Sequence, residues 1–343
     1  MYAIIGKTKN RDPKGVVNME NAVKRIGILT SGGDAPGMNA CIRAVVRAAL
    51  GRGSECVGIR RGWSGLINGD IMMMDNTSVS RIINRGGTML YTARSEEFRT
   101  LDGQQRAAAT CKLLGLDGIV GVGGDGTFRG LQEFSKQGIS VVGVPATIDN
   151  DIVCTDYTIG FDTAANTAVE CMDKLRDTMQ SHERCSVVEV MGRNAGYLAM
   201  YVGLAVGATA VLIPEEPIDF ERDVIEKIRQ ARFNGFTHYM IVVAEGAGSA
   251  ADIAQRIKDA IGLDPRVTVL GHIQRGGCPT GRDRVNATKM GYLAVELLAA
   301  GKTNRIVCTH DGSFTDVDIE DGLAMKKGIQ QMEEDVLAAM TGA

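Results

Sequence analysis

The sequence predicts an α/β protein in which mainly parallel sheets are covered by helices. Short apolar runs alternate along the chain with stretches of helical periodicity, as expected for parallel strands joined by crossover helices. Glycine is abundant, at 43 of 343 residues, well above its usual share of about 7%. Proline is scarce, at 7 residues, so the glycines read as tight turns and close backbone approaches, not as disorder. At roughly 150 residues per domain, the length suggests about two domains.

In chain order, residues 1–23 lack a periodic pattern and contain a second methionine, Met19. They are expected to be a disordered N-terminal extension, or Met19 to be the start. Arg25 to Thr30 (RIGILT) reads as a strand and SGGDAPGMN as a glycine-rich turn. The next segment puts Met38, Cys41, Ile42, Val45, Val46 and Ala49 on one helical stripe. Further strands are expected at Cys56–Ile59, Gly118–Val122, Ser140–Val144, Ser186–Met191, Ala210–Ile213, Tyr239–Ala244 and Val267–Gly271. Helices are expected at Gln104–Leu114, Ala164–Met179, Asp223–Arg232 and Ala250–Ile261. Tyr197 to Ile213 is 17 residues without a charge, at the short limit for a membrane span. Gly207 divides it, which favours a buried helix followed by a short strand.

Composition narrows the function classes. With 38 basic and 41 acidic residues the net charge is −3, so no global basic field argues for nucleic acid or an anionic membrane surface. Any anion site must be local. The eight cysteines form no CxxC pair, and Cys41, Cys111 and Cys171 sit in apolar segments. They read as buried free thiols of a reducing cytoplasm. The four histidines form no HExxH and no zinc spacing.

The most informative stretch is Ile119 to Gly130, IVGVGGDGTFRG. Its apolar start reads as a buried strand end. Gly123, Gly124 and Gly126 then let backbone N–H groups approach a ligand at the start of a helix, which suits a phosphate chain. Asp125, at the strand's C-terminal end, is placed to bind the Mg²⁺ that accompanies a nucleotide. Taken alone, the stretch reads equally well as a plain glycine-rich turn. Other strand ends carry Gly32, Gly33 and Asp34, and Thr147, Asp149, Asn150 and Asp151. Two acidic loops ending neighbouring strands allow one to hold a metal and the other to deprotonate a hydroxyl, the division of labour of phosphoryl transfer. The alternative for Asp149 to Asp151 is an Asx-rich turn. Arg94, Arg99, Arg184, Arg193, Arg266, His272 and Arg275 lie at or beside strand ends and glycine turns. Converging on one cleft, they would suit two phosphates.

Seven motifs, in order, resemble the bacterial-type ATP-dependent 6-phosphofructokinase family: ILTSGGDAPGMNA, INRGGTMLYTAR, GVGGDGT, PATIDNDI, TDYTIGFDTA, VVEVMGR and TVLGHIQRGG. The resemblance covers about Arg25 to Arg305. It implies two Rossmann-like three-layer α/β/α lobes with mainly parallel sheets and the active site in the cleft between them. An ATP-binding lobe is expected at residues 24–160 plus about 275–323, and a fructose 6-phosphate-binding lobe at 161–274 plus the C-terminal segment. It further implies a cytoplasmic homotetramer with shared active sites.

By the same resemblance, Asp149 is the general base, with Thr147, Arg94 and Arg193 in the catalytic set. ATP is held by Gly32, Arg94, Ser95, Asp125, Gly126 and Thr127, with Asp125 the Mg²⁺ ligand. Fructose 6-phosphate is held by Thr147, Ile148, Asp149, Met191, Gly192, Arg193, Glu245, His272 and Arg275, while Arg184 and Arg266 reach it from a neighbouring subunit. Gly126 and Ala146 stand where pyrophosphate-dependent relatives carry Asp and Lys, which implies ATP as donor. Arg43, Arg47, Arg176 and His238 match an effector site for ADP or phosphoenolpyruvate between subunits, although Arg43 and Arg47 alone also read as a solvated basic helix face. Asp70, Asn234 and Phe236 stand at positions where the family carries cations, and Thr209 replaces an acidic residue. A weakened or altered effector response is expected. Arg60 occupies a position that is often aromatic near the nucleotide in this family, where a guanidinium can stack on a base. The competing readings are a pyrophosphate-dependent or mixed-donor enzyme, a non-catalytic regulatory subunit, and the lipid and dinucleotide kinases that share a GGDG loop.

Overall fold

The computed structural model describes residues 23–325, 328 and 331–340. The expectation for the N-terminal extension lies almost wholly outside them. The strands are β1 Arg25–Thr30, β2 Glu55–Ile59, β3 Ile71–Met74, β4 Gly118–Gly123, β5 Ser140–Pro145, β6 Cys185–Val190, β7 Ala210–Leu212, β8 Tyr239–Ala244, β9 Arg266–Val269, β10 Arg305–His310 and β11 Ser313–Asp318. The helices are α1 Met38–Gly51, α2 Gly62–Asn68, α3 Leu101–Leu114, α4 Asp125–Ser135, α5 Phe161–His182, α6 Tyr197–Val206, α7 Lys227–Phe233, α8 Ala250–Ile261, α9 Gly281–Ala299, α10 Ile319–Ala324 and α11 Gln331–Met340.

Two sheets result. The first runs β11-β10-β5-β4-β1-β2-β3 and is parallel except for its outer strands β3 and β11. The second runs β7-β8-β6-β9 and is wholly parallel. In the first sheet the chain leaves β1 toward β2 on one side and returns through β4 on the other. A crevice opens beyond strand ends where the winding direction reverses in this way, and ligands bind there.

The central strands are apolar on both faces because both faces are covered. Ile26 and Ile28 of β1 and Val142 and Val144 of β5 join one core cluster, while Leu29 and Val141 join another. The first cluster continues through α1, α5, α6 and α9 into β6 and β8, so the inner helices are shared packing between the two sheets. The second closes the outer face of the first sheet under α2, α3, α4 and α10, and a third closes the outer face of the second sheet under α8 and residues 224–231. The predicted stripe of α1 is wholly buried.

Several boundaries differ from expectation. α5 extends to Phe161–His182. Met191 lies past the end of β6, and β9 stops at Val269 before a tight 3-10 turn, Gly271–Arg275. The segment expected as a helix at Asp223–Arg232 opens as a π-helical turn, Glu221–Glu226, before α7. β3, β10 and β11 were not expected. β3 and β11 are the antiparallel edge strands of the first sheet, and β11 is at most half-buried, whereas β10 is an apolar run buried on both faces between β5 and β11. Gly207, in the left-handed region at φ 58, ends α6 and admits β7, so the uncharged segment is divided as expected. Among the described residues no helix is long and apolar enough to cross a membrane. All eight cysteines are free; burial pushes the thiols of Cys41, Cys56, Cys111 and Cys185 up to about 12.

One buried carboxylate joins the starts of the two central helices. Asp283, in the first turn of α9, is fully buried. It accepts hydrogen bonds from the Gly160 N–H (2.7 Å), the Thr163 N–H (2.9 Å), the Thr163 hydroxyl and the Tyr157 hydroxyl. Removing the carboxylate strands several buried donors at about 1–3 kcal/mol each. Asp283→Ala is therefore expected to lower unfolding free energy in urea by about 3 kcal/mol or more, and Tyr157→Phe by only about 1 kcal/mol. Equal losses in the two variants would contradict this account.

Candidate active site

A cleft of about 530 Å³ opens at the C-terminal ends of the parallel strands. Ser31, Gly32 and Gly33 enter it after β1, Gly124 to Thr127 after β4, and Ala146, Thr147, Asp149 and Asp151 after β5. Arg193, after β6, and Arg275, after β9, reach in from the second sheet. Both sheets thus build one cavity.

The floor is the β4–α4 turn. Thr127 donates its hydroxyl to the Ser31 carbonyl (3.1 Å), and the Ser31 N–H bonds the Val122 carbonyl (3.0 Å). A Cβ on Gly123 would collide with both Thr127 Oγ1 and the Ser31 carbonyl, so this join requires glycine. No side chain caps the N-terminus of α4. Its first N–H groups and the helix dipole are left for an anion. Asp125 is the first residue of α4, and its half-exposed carboxylate pairs with Arg129 one turn on (Nε to Oδ2, 2.8 Å). A Cβ at Gly126 would meet nothing within 4 Å. The space there is open.

Asp149 contrasts with Asp125. It is 6% exposed, and its Oδ1 has no hydrogen-bond partner. Burial pushes its carboxyl up to about 6, and the neighbouring Asp151 adds to the shift, whereas Arg275 and Thr147 oppose it. The backbone holding it is constrained: Asn150 sits at φ 51, and the Thr158 hydroxyl bonds the Thr147 carbonyl (2.6 Å) and Asn150 Oδ1 (3.3 Å). Ile159 N–H bonds the Pro145 carbonyl (3.0 Å), which pins the far side of the same loop.

On the second sheet, Glu245 accepts from the Arg193 N–H (2.6 Å) and the Gly192 N–H (3.3 Å), fixing Arg193 at φ 59. Arg275 lies across the glycine loop and donates to the Asp34 carbonyl (3.2 Å). A Cβ on Gly33 would approach Arg275 Nη1 to 2.8 Å, so Gly33 makes room for this crossing.

Of the predicted residues, Gly32, Arg94, Ser95, Asp125, Gly126, Thr127, Ala146, Thr147, Asp149, Arg193 and Arg275 line this cleft. Ile148 does not: its side chain is in the core, because it points back from the turn into the apolar layer under β5. Met191 also packs in that core, and Gly192 and Glu245 support Arg193 from behind. Arg184, Arg266 and His272 are exposed and outside the cleft of their own chain. Arg266 stands 3.9 Å from Asp264, whose carboxyl is held low mainly by its hydrogen bond and ion pair with Lys258, with Arg266 and Arg184 adding to the effect.

Arg43 and Arg47 line a second cavity of about 480 Å³ between α1 and α9, with Arg52, Thr288, Tyr292 and Glu296. Burial and the neighbouring Arg47 lower the pKa of Arg43. Arg176 and His238 do not join this cavity; Arg176 caps α6 by donating to the Val206 carbonyl. Nor does Asp70, which is bound by Arg60 and Arg61. Arg60, in that pairing, is not among the residues lining the main cleft.

Sequence reading missed the far end of the main cleft, formed by Trp63, Phe98, Gln104, Arg129 and Glu133. Trp63 and Phe98 stack with ring centroids 4.0 Å apart and 11° between planes. Arg129 and Glu133 follow Asp125 at helical spacing on α4, a signal that was available. For a metal, the described residues hold no group of three or more His, Cys, Asp or Glu side chains. A single exposed carboxylate beside a phosphate-type turn fits magnesium, which keeps several waters and shares its shell with phosphate oxygens.

A model of the phosphofructokinase family matches residues 25–298. A Clostridium botulinum (strain Hall) protein named ATP-dependent 6-phosphofructokinase is 51% identical over 319 residues, covering 93% of this chain and 100% of its own. A Clostridium perfringens (strain 13) protein named ATP-dependent 6-phosphofructokinase 1 is 52% identical over 309 residues, covering 90% and 97%. Among solved structures, Saccharomyces cerevisiae phosphofructokinase superposes with a TM-score of 0.83 at 32% identity, covering 92% of this chain. This chain spans 46% of that one. A pyrophosphate-dependent phosphofructokinase from Marinobacter aquaeolei, at TM-score 0.80 and 21% identity, shares the fold.

The raised pKa of Asp149 has a stability consequence. Its charged form is disfavoured in the folded state, so the penalty is full above about pH 6 and fades as pH falls toward the ordinary carboxylate value. Asp149→Asn is expected to be more stable than the parent at pH 7, by on the order of 1 kcal/mol, with the difference shrinking at pH 5. Urea unfolding of both proteins at the two pH values checks it; a variant less stable at pH 7 would count against the burial argument.

Proposed function

The chain belongs to the phosphofructokinase family, and from that premise we propose that it is an ATP-dependent 6-phosphofructokinase. It transfers the γ-phosphate of ATP to the 1-hydroxyl of fructose 6-phosphate, yielding fructose 1,6-bisphosphate and ADP, the committed step of glycolysis. The observation that carries this reading is the pairing of an uncapped helix N-terminus bearing Asp125 with a buried, proton-accepting Asp149 across one cleft.

Asp149 is the general base. Its carboxyl, pushed up to about 6, is a better proton acceptor than an ordinary aspartate yet remains ionised at neutral pH. It cannot ionise a sugar hydroxyl in advance, so the proton leaves as the oxygen attacks phosphorus in a loose transition state. Positioning and charge neutralisation then dominate. Thr147 borders the base, Arg193 is held by Glu245 toward the sugar side, and Arg94, Ser95 and the glycine loops at Gly32 and Gly126 receive the phosphates. Asp125 holds Mg²⁺, which when bound neutralises charge on the phosphate oxygens. Trp63 and Phe98 offer an apolar end for the nucleoside.

The donor follows from space. The void at Gly126 and the small side chain of Ala146 leave room for a nucleotide, where an aspartate at Gly126 would project its charge into the cleft. This favours ATP over pyrophosphate. Retention of Asp125, Asp149 and Asp151 favours an enzyme over a regulatory subunit. The exposed Arg184 and Arg266, turned away from their own cleft, support a homotetramer in which they serve a neighbour's sugar phosphate. Free buried thiols support a cytoplasmic setting. The cavity of Arg43 and Arg47 suits an anionic effector, with a response weakened or altered because Asp70, Asn234 and Phe236 stand where the family carries cations and Thr209 replaces an acidic residue.

Two outcomes are expected in a coupled assay with fructose 6-phosphate. Asp149→Asn lowers kcat at least about 100-fold, and near-normal turnover would refute the base. Gly126→Asp folds normally but raises KM for ATP roughly tenfold or more through charge repulsion. Parent turnover with pyrophosphate equal to that with ATP would overturn the donor assignment.

A further inference from the structure

Arg129 stands one helical turn past Asp125 and lines the same cleft. Its guanidinium meets the Asp125 carboxylate at two points, Nε to Oδ2 at 2.8 Å and Nη2 to Oδ1 at 3.4 Å. The two side chains stay 63% and 45% exposed, so the pair is screened by water and readily opened. The same carboxylate is the metal ligand proposed above. A divalent cation and a guanidinium compete for it, since each gains from the same negative charge. Once the metal has taken the carboxylate, Arg129 is an unneutralised cation in a cleft built for a polyphosphate.

We propose that Arg129 exchanges partners, holding Asp125 in the metal-free enzyme and passing to the phosphate chain of the donor when metal and nucleotide bind together. Resting on the assignment of Asp125 as metal ligand, this makes Arg129 a specificity residue for the metal–nucleotide complex. Metal alone must displace the guanidinium from Asp125. Metal with nucleotide displaces it onto a better anion.

The exchange gives Arg129 effects of opposite sign on two ligands. A pair that merely braces α4 does not. Binding of Mn²⁺ without nucleotide is measured by water-proton relaxation in the parent, Arg129→Met and Asp125→Asn. Binding of a non-hydrolysable ATP analogue with saturating Mg²⁺ is followed through Trp63, the single tryptophan of the chain. Arg129→Met is expected to bind Mn²⁺ alone about fivefold more tightly, the effect of removing one unit charge at about 4 Å in water. It is expected to bind the Mg²⁺ analogue complex at least about fivefold more weakly. Unchanged Mn²⁺ affinity, or weakening of both ligands together, overturns the exchange. Asp125→Asn separates the two claims: if it still binds Mn²⁺ like the parent, the metal assignment fails. If it loses Mn²⁺ while Arg129→Met matches the parent, only the exchange fails.

Discussion

The site rests on a carboxylate that never meets a ligand. Asp283 collects the Tyr157 hydroxyl and the Gly160 and Thr163 N–H groups at the start of α5 while sitting in the first turn of α9. Burial raises its pKa, and the donors from Thr163, Tyr157 and Gly160 pull it back down. The charge is therefore tolerable only while that corner is intact. The same corner carries Thr158 and Ile159, whose bonds to Thr147, Asn150 and Pro145 set the loop that presents Asp149. It also packs tightly on the glycine loop, since a Cβ on Gly37 would strike Ile159 and one on Gly160 would strike Ala35. One buried charge thus sets the spacing between the loop that receives phosphate and the loop that carries the base.

The two functional aspartates show how environment divides labour between like groups. Asp125 lies in the open, paired with an arginine. Asp149 is buried, crowded by Asp151, and only partly relieved by Arg275. Its burial costs folding energy and raises its basicity in the same stroke. Arg275 matters twice here, since it moderates that shift and also ties the second sheet to the glycine loop of the first.

The layered α/β fold and most of the cleft were legible in the sequence because the physics is local. An apolar run followed by glycine and aspartate marks a buried strand meeting a ligand loop. What stayed hidden depended on distance in sequence or on direction. Trp63 lines the cleft from α2, stacked on Phe98, far from the motif loops in sequence. Ile148 belongs to the right loop but faces the core. Within one chain Arg176 and His238 lie away from the cavity of Arg43 and Arg47, and Arg176 caps α6. Strand β11, SFTDVD at a half-exposed edge, carries too few apolar residues to stand out as a strand by itself, and its antiparallel pairing with β10 places it in the sheet.

The order of strands in the first sheet bears on how a ribosome delivers this molecule. β6 to β9 are consecutive in the chain and complete the second sheet as soon as residue 269 has emerged. The first sheet cannot close then, because β5 waits for β10, whose Arg305 and Ile306 pair with Val142 and Gly143. The lobe begun first is finished last. Until Arg305 and Ile306 are available, one edge of β5, the strand that leads into the Asp149 loop, keeps unpaired backbone N–H and C=O groups, an open edge of the kind that pairs with another chain.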